Sequence, residues 1–176
     1  MGRKNEVITQ ERLKQLLHYN PDTGVFTWMR SPARCIKAGD VAGGVNKATG
    51  YIVIRLDGKL YPSHRLAFLD QTGEFPPADV DHKNGVRSDN RWVNLRPATR
   101  FENHGNCGAR QGSGSGIKGV SWHRKAKKWQ ARIQVHGRTY YLGLFGTTEE
   151  ANDCYQGAAS LIFGEFAHHR NQGDSN

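Results

Sequence analysis

The chain has 176 residues, of which 36% are hydrophobic, and carries a formal net charge of +9. That length suits one domain or two small ones, and a mean hydropathy of −0.71 leaves any single core modest. No apolar run approaches the ~18 residues of a membrane span, and the opening MGRKNEVITQERLK has no apolar signal core, so the expected setting is the cytoplasm, with no membrane partner. Cys35, Cys107 and Cys154 stand far apart without a C-x-x-C pair, which argues against a disulfide framework or a zinc knuckle.

The predicted elements follow in chain order. Residues 6–19 have Ile8, Leu13, Leu16 and Leu17 on one helical face, which predicts a short amphipathic helix. NPDTG is a turn, and VFTWMR a strand. A glycine-rich stretch leads into YIVIRLDGKLYP, where alternation on both sides of Asp57-Gly58 predicts a hairpin. SHRLAFLDQTG reads as a helix closed by Gly73. WVNLR reads as a strand ended by Pro97, and Thr99 with Glu102 forms a capping box that opens a helix at about Arg100. GNCGARQGSGSG has the composition of a flexible linker. Beyond it, GIKGVSWH, KKWQARIQVH and RTYYLGLF predict three strands, and Thr147-Thr148-Glu149-Glu150 opens a final helix with acids in its first turn.

The chemistry concentrates at Asp81-His82, followed by Asn94 and Asn103. Asp81 and Asn103 offer hard oxygen ligands that suit Mg²⁺ or Mn²⁺. A neutral His82 can take a proton from water near pH 7. Adjacent strand residues point to opposite sides, so Asp81 and His82 share a face only if the backbone bends there. Asn84, Asn90 and Asn106 are turn-compatible residues assigned structural roles. His64 and Arg65 are assigned to the fold or to a backbone phosphate, and His104 to a phosphate, to the surroundings of the ligands or to solvent.

The D-H pair, the N-L of VNLR and the N of FEN resemble the H-N-H nucleases, in particular the phage and intron-type homing endonucleases, and the likeness extends over residues 20–106. The resemblance implies a ββα-metal fold with His82 as general base and one divalent ion, Mg²⁺ or Mn²⁺, on Asp81 and Asn103. Asn94 then either orients the His82 ring or braces the loop.

Between Asn103 and Thr148 there is no acidic residue, and eight basic ones stand there: Arg110, Lys118, Arg124, Lys125, Lys127, Lys128, Arg132 and Arg138. Charge gathered in this way points to a polyanion. In KKWQARIQVH one face reads Trp129, Ala131, Ile133, Val135 and the other Lys128, Gln130, Arg132, Gln134, His136. Arg and Gln can donate paired hydrogen bonds to base edges. The runs KGV, KKW-x-A-x-I, YLGLF and TTEEA…FGEFA resemble the plant ethylene-response-factor (AP-two) DNA-binding domain. By that resemblance Lys118, Lys128, Trp129, Arg132, Gln134 and Tyr141 face or support DNA, and Arg124 and Arg138 join them from the basic run. Trp129 belongs to the core set by alternation and to the DNA set by resemblance, and Trp122 shares that ambiguity. Ser121 stands where plant members often carry Arg, and Arg132 where they often carry Glu, so a target sequence does not transfer.

The expectation is an α+β chain. A nuclease module spans 1–106, with a helix and hairpin region at 1–78 and the ββα-metal core at 79–106. A linker at 107–116, a three-stranded antiparallel sheet packed on one helix at 117–170 and a tail at 171–176 follow. The expected activity is metal-dependent hydrolysis of a DNA phosphodiester by a phage-like homing endonuclease, acting in the host cytoplasm if phage-encoded. Its partner is double-stranded DNA, and it is a monomer unless a dimer makes a double-strand break. The alternative is a transcriptional or architectural DNA-binding protein whose nuclease module is inactive.

Overall fold

The computed structural model describes residues 8–109 and 112–167. The first residues of the predicted N-terminal helix, Arg110 and Gln111 of the predicted linker, and the predicted tail lie outside them. The chain divides into two compact units, 1–97 and 98–176. This division falls ahead of the glycine-rich stretch that the composition marks as the boundary.

In the first unit, α1 covers Gln10–Leu16, and its N-cap Thr9 accepts a hydrogen bond from the Arg12 amide. It is shorter than predicted. Leu17–Asn20 is strand β1, which pairs antiparallel with β2, Val25–Trp28, across the Pro21–Gly24 turn. Leu17 and Tyr19 are buried while His18 and Asn20 are exposed. That period of two is invisible as long as Leu16 and Leu17 are counted on a helical face.

A short strand β3, Gly44–Val45, lies beside β4, Ile52–Leu56, which turns at Asp57-Gly58 into β5, Lys59–Pro62. Helix α2, Ser63–Thr72, follows at once and is buried on nearly every side, with Ser63, His64, Leu66, Ala67, Phe68, Leu69 and Asp70 all covered. Its C-cap Gly73 donates to Leu69 O. Arg65 leaves this helix to donate to Pro76 O and Ala78 O and lies 5.7 Å from the Phe75 ring centroid. These bonds fasten the segment that enters β6, Asp79–His82. A 3-10 turn at Trp92–Asn94 leads into β7, Leu95–Ala98, the partner of β6. Pro97 thus stands inside the strand. The core of this unit gathers Leu13, Leu17, Phe26, Ile54, Leu56 and Leu66.

In the second unit, α3, Arg100–Asn106, opens with the reciprocal capping box of Thr99 and Glu102. Strands β8 (Val120–His123), β9 (Lys128–Val135) and β10 (Arg138–Phe145) form one antiparallel sheet in the order β10-β9-β8. Helix α4, Thr148–Phe163, starts on a second capping box and buries Ala151, Tyr155, Ala159 and Phe163. Ala131 and Ile133 supply the sheet side of the core.

Helix α3 is part of this core. Phe101 lies 4.9 Å from the Phe163 ring and is stacked on His136 at 4.2 Å. Gly105 fits because it has no side chain: a Cβ there would stand 2.8 Å from the Phe163 ring. Lys118 closes the contact by donating to His104 O and Gly105 O, two carbonyls at the C-terminal end of α3. Phe163→Ala should therefore cost the second unit about 3–5 kcal/mol. Amide exchange in α3 should rise with that of α4, while exchange in β4 and α2 stays unchanged.

Candidate active site

Asp81 and His82 end β6, and each is 4% exposed. The bend comes at His82 itself, whose carbonyl accepts from Gly85 N at 2.7 Å. The Asp81 carboxylate is met by Arg96 of β7, with both Nε and Nη2 at 2.8 Å from Oδ2. This buried pair fixes the carboxylate against the neighbouring strand.

The His82 ring meets Asn90. Its Nε2 lies 3.1 Å from Asn90 Oδ1. Asn90 Nδ2 faces Ser88 O at 3.4 Å, which turns the amide oxygen toward the histidine. An amide oxygen only accepts, so Nε2 carries the hydrogen and Nδ1 carries the lone pair. Asn90 is 1% exposed and is a residue the sequence reading left among turn formers. Nothing local marks it, because the contact is made by closure of an eight-residue loop.

Asn94 has the other work the sequence left open for it. Its Oδ1 accepts from Asn84 N at 3.0 Å, and its Nδ2 donates to Asp89 O at 2.7 Å, so it braces the loop. Asp89 binds Asn84 Nδ2 and the Arg91 guanidinium. Arg91 above all, with Asn84 helping, holds the Asp89 carboxyl down at about 2. The hairpin β1–β2 backs this loop. Tyr19 Oη donates to Asn90 O at 2.7 Å, and Trp92 N to Pro21 O at 2.9 Å. Gly24, with φ +73°, leaves no room for a Cβ, which would run into the Asn90–Arg91 peptide.

Two more rings adjoin His82. His64 lies edge-on at 5.2 Å with an interplanar angle of 85°, and Tyr51 is at 5.8 Å. Tyr51 is also 4.9 Å from His64 and lies under the Arg87 guanidinium at 5.2 Å. His64 Nδ1 is buried with no hydrogen-bond partner, a cost of about 1–3 kcal/mol. Burial, with His82 and Arg65 adding to it, pushes the His64 imidazole down to about 3. Burial also pushes His82 below its ordinary value, opposed by the Asn90 hydrogen bond and by the charges of Asp81 and Asp89. Both rings are therefore neutral at neutral pH.

Asn103 belongs to the second unit, half-buried on α3, with its backbone N–H donating to Thr99 O. Among the described residues no three His, Cys, Asp or Glu gather as a metal cluster. Asp81 is one carboxylate with hard oxygens. Mg²⁺ keeps several of its waters and accepts one or two protein ligands, so this donor chemistry fits it.

On the sheet of the second unit, cross-strand partners share a face. Arg132 stands opposite Tyr141, Gln134 opposite Thr139, Gln130 opposite Ser121, and Lys128 opposite His123. That face lies away from α4. Lys128, Arg132, Gln134 and Tyr141 are exposed on it, while Gln130 is buried. Trp129 goes with Ala131 and Ile133 on the helix side, 5.2 Å from Trp122, which remains 49% exposed. Arg124 is exposed in the β8–β9 turn, and Arg138 is exposed opposite Val135. Lys118 departs from its expected place on the DNA side. It turns to the end of α3, where burial lowers its pKa.

Residues 61–104 match the model of a family described as HNH endonuclease. No curated protein matches the chain in sequence. Among solved structures, that of the HNH homing endonuclease I-HmuI, concerned with DNA binding and cleavage, is similar at 23% identity. It covers 78% of this chain and 76% of that one, with a TM-score of 0.40. No helix among the described residues is long and apolar enough to cross a membrane.

A native imidazole held at about 3 refuses protons that the unfolded chain takes up below about 6.5. The melting temperature should be insensitive to this group above pH 7 and fall progressively as pH drops from about 6.5. His64→Phe should lose that share, so the difference in melting temperature between variant and wild type should grow in the variant's favour from pH 7 to pH 5.

Proposed function

We propose that this protein is a metal-dependent DNA endonuclease of the homing type. Its His82 acts as general base, and the outer face of its C-terminal sheet holds double-stranded DNA. The observation that carries the reading is the buried His82–Asn90 hydrogen bond inside the HNH-matching segment. A neutral imidazole with its proton fixed on Nε2 offers Nδ1 to a water molecule. That nitrogen takes the proton as the water oxygen attacks phosphorus, and the bond to the leaving ester oxygen breaks. Asp81 supplies a carboxylate ligand for Mg²⁺ or Mn²⁺, and the sequence resemblance adds Asn103. The ion would neutralise charge on the phosphate oxygens and stabilise the leaving oxygen. Arg96 fixes the Asp81 carboxylate and limits its rotation.

The outer face of the sheet brings Lys128, Arg132, Gln134 and Tyr141 together, with Arg124 in the adjoining β8–β9 turn, while Arg138 stands opposite Val135 at the other face and would reach DNA only from the end of its strand. Arg and Gln side chains on one exposed sheet face suit both phosphate contact and base edges, the mode implied by the AP-two resemblance. One base and one ion make one cut, so nicking by a monomer is the simplest outcome. Intact Asp81, His82 and Asn90 favour this over a purely DNA-binding role.

A nicking assay on supercoiled DNA with Mg²⁺ tests the reading. His82→Ala should abolish cutting with DNA affinity nearly unchanged, and a chelator should stop the wild type. Cutting that persists in both conditions would sink the assignment. Arg132→Ala should weaken binding and, if Arg132 meets a phosphate, reduce the slope of log affinity against log salt by about 1.

A further inference from the structure

The nuclease reading uses His82 and Asn90 but leaves His64 without a task. His64 is the second residue of α2, 8% exposed, with its Nδ1 buried and unpartnered. A phenyl ring at this position would carry no orphaned nitrogen. The fold nevertheless keeps an imidazole there, edge-on to the His82 ring at 5.2 Å and 4.9 Å from Tyr51.

The His82–Asn90 hydrogen bond fixes one point of the ring. That contact lies close to the Cβ–Cγ axis about which the ring turns, so contacts on the ring's faces and edge add to the restraint on its rotation. His64 and Tyr51 supply those contacts, and each is anchored. Tyr51 lies under Arg87, which itself donates to Thr49 O. His64 is carried on a helix buried on nearly every side. An edge-to-face ring pair has a preferred geometry. Tyr51, His64 and His82 form a triangle of rings with centroids 4.9, 5.2 and 5.8 Å apart, and the edge of an imidazole is more polar than that of a phenyl.

We propose that His64 is a positioning residue for the cutting reaction, one that sets the plane of the His82 imidazole and so aims its Nδ1. This inference rests on the reading of His82 as the base. It differs from a packing role in one respect: a packing role is served as well or better by an apolar ring.

The test uses the full chain with His64→Phe and His64→Ala, and His82→Ala in parallel. His64→Phe should melt no lower than wild type. Its kcat for nicking should fall about 10- to 100-fold, as misorientation of a reacting group does, with KM and DNA affinity unchanged. The ring-nitrogen resonances of His82, assigned by their loss in His82→Ala, should show one tautomer protonated at Nε2 in wild type and, because a turned ring draws Nε2 away from Asn90 Oδ1, a mixture in both His64 variants. A wild-type kcat in His64→Phe overturns the proposal, and so does an unchanged His82 tautomer in both variants. If the phenyl does not fit, His64→Ala gives the same two readouts. Should His82→Ala cut like wild type, the nuclease reading falls, while the His82 tautomer, which needs no cleavage, still judges whether His64 positions the ring.

Discussion

A neutral imidazole presents a lone pair in a defined direction only when its proton is fixed on the other nitrogen, and the buried contact of His82 Nε2 with Asn90 Oδ1 fixes it here. Much of the first unit can be read as the means of keeping Asn90 in place. The loop from Lys83 to Asn94 is closed by its own polar groups, with Asn84, Asp89 and Asn94 bonded to one another. Lys83 N donates to Asn94 O at 2.9 Å, and Lys83 Nζ to Val93 O. Such a knot is stable because every member finds a partner; displacing the Asn84 N–H or the Asp89 carbonyl takes a partner from Asn94, which is buried.

The knot needs a wall behind it, and the β1–β2 hairpin is that wall. Tyr19 holds the Asn90 carbonyl, Pro21 holds the Trp92 amide, and Gly24 admits the Asn90–Arg91 peptide. On the other side, α2 presents His64 to the His82 ring, and its Arg65 ties down the approach to β6. Residues far apart in the chain thus converge on one imidazole.

Local patterns made several elements legible. The Asp57-Gly58 hairpin, α2 with its Gly73 end, both capping boxes and the alternation of β9 all follow from neighbours within a few positions. The adjacency of Asp81 and His82 was legible too, because chain order and residue type suffice for it. Asn90 was not, since its role arises from loop closure and its local setting is that of an ordinary turn residue. The strand at Leu17–Asn20 was hidden because two consecutive leucines satisfy a helical face as readily as a strand's inner face.

Charge misled at one position and composition at another, for a common reason. Lys118 lies in an acid-free, basic run, and by count alone it belongs with Arg132 and Lys128. Yet a helix end leaves carbonyls without partners, and an ammonium on a long apolar stem can reach them while its stem stays covered. Lys118 does so at His104 and Gly105. The same residues explain why glycine content misplaces the boundary. Glycines at 105–116 read as slack chain, but Gly105 is glycine because Phe163 presses against it. Helix α3 is therefore held by the core of the second unit, through Phe101, Gly105 and Lys118. Any substitution that loosens that core loosens the helix that carries Asn103.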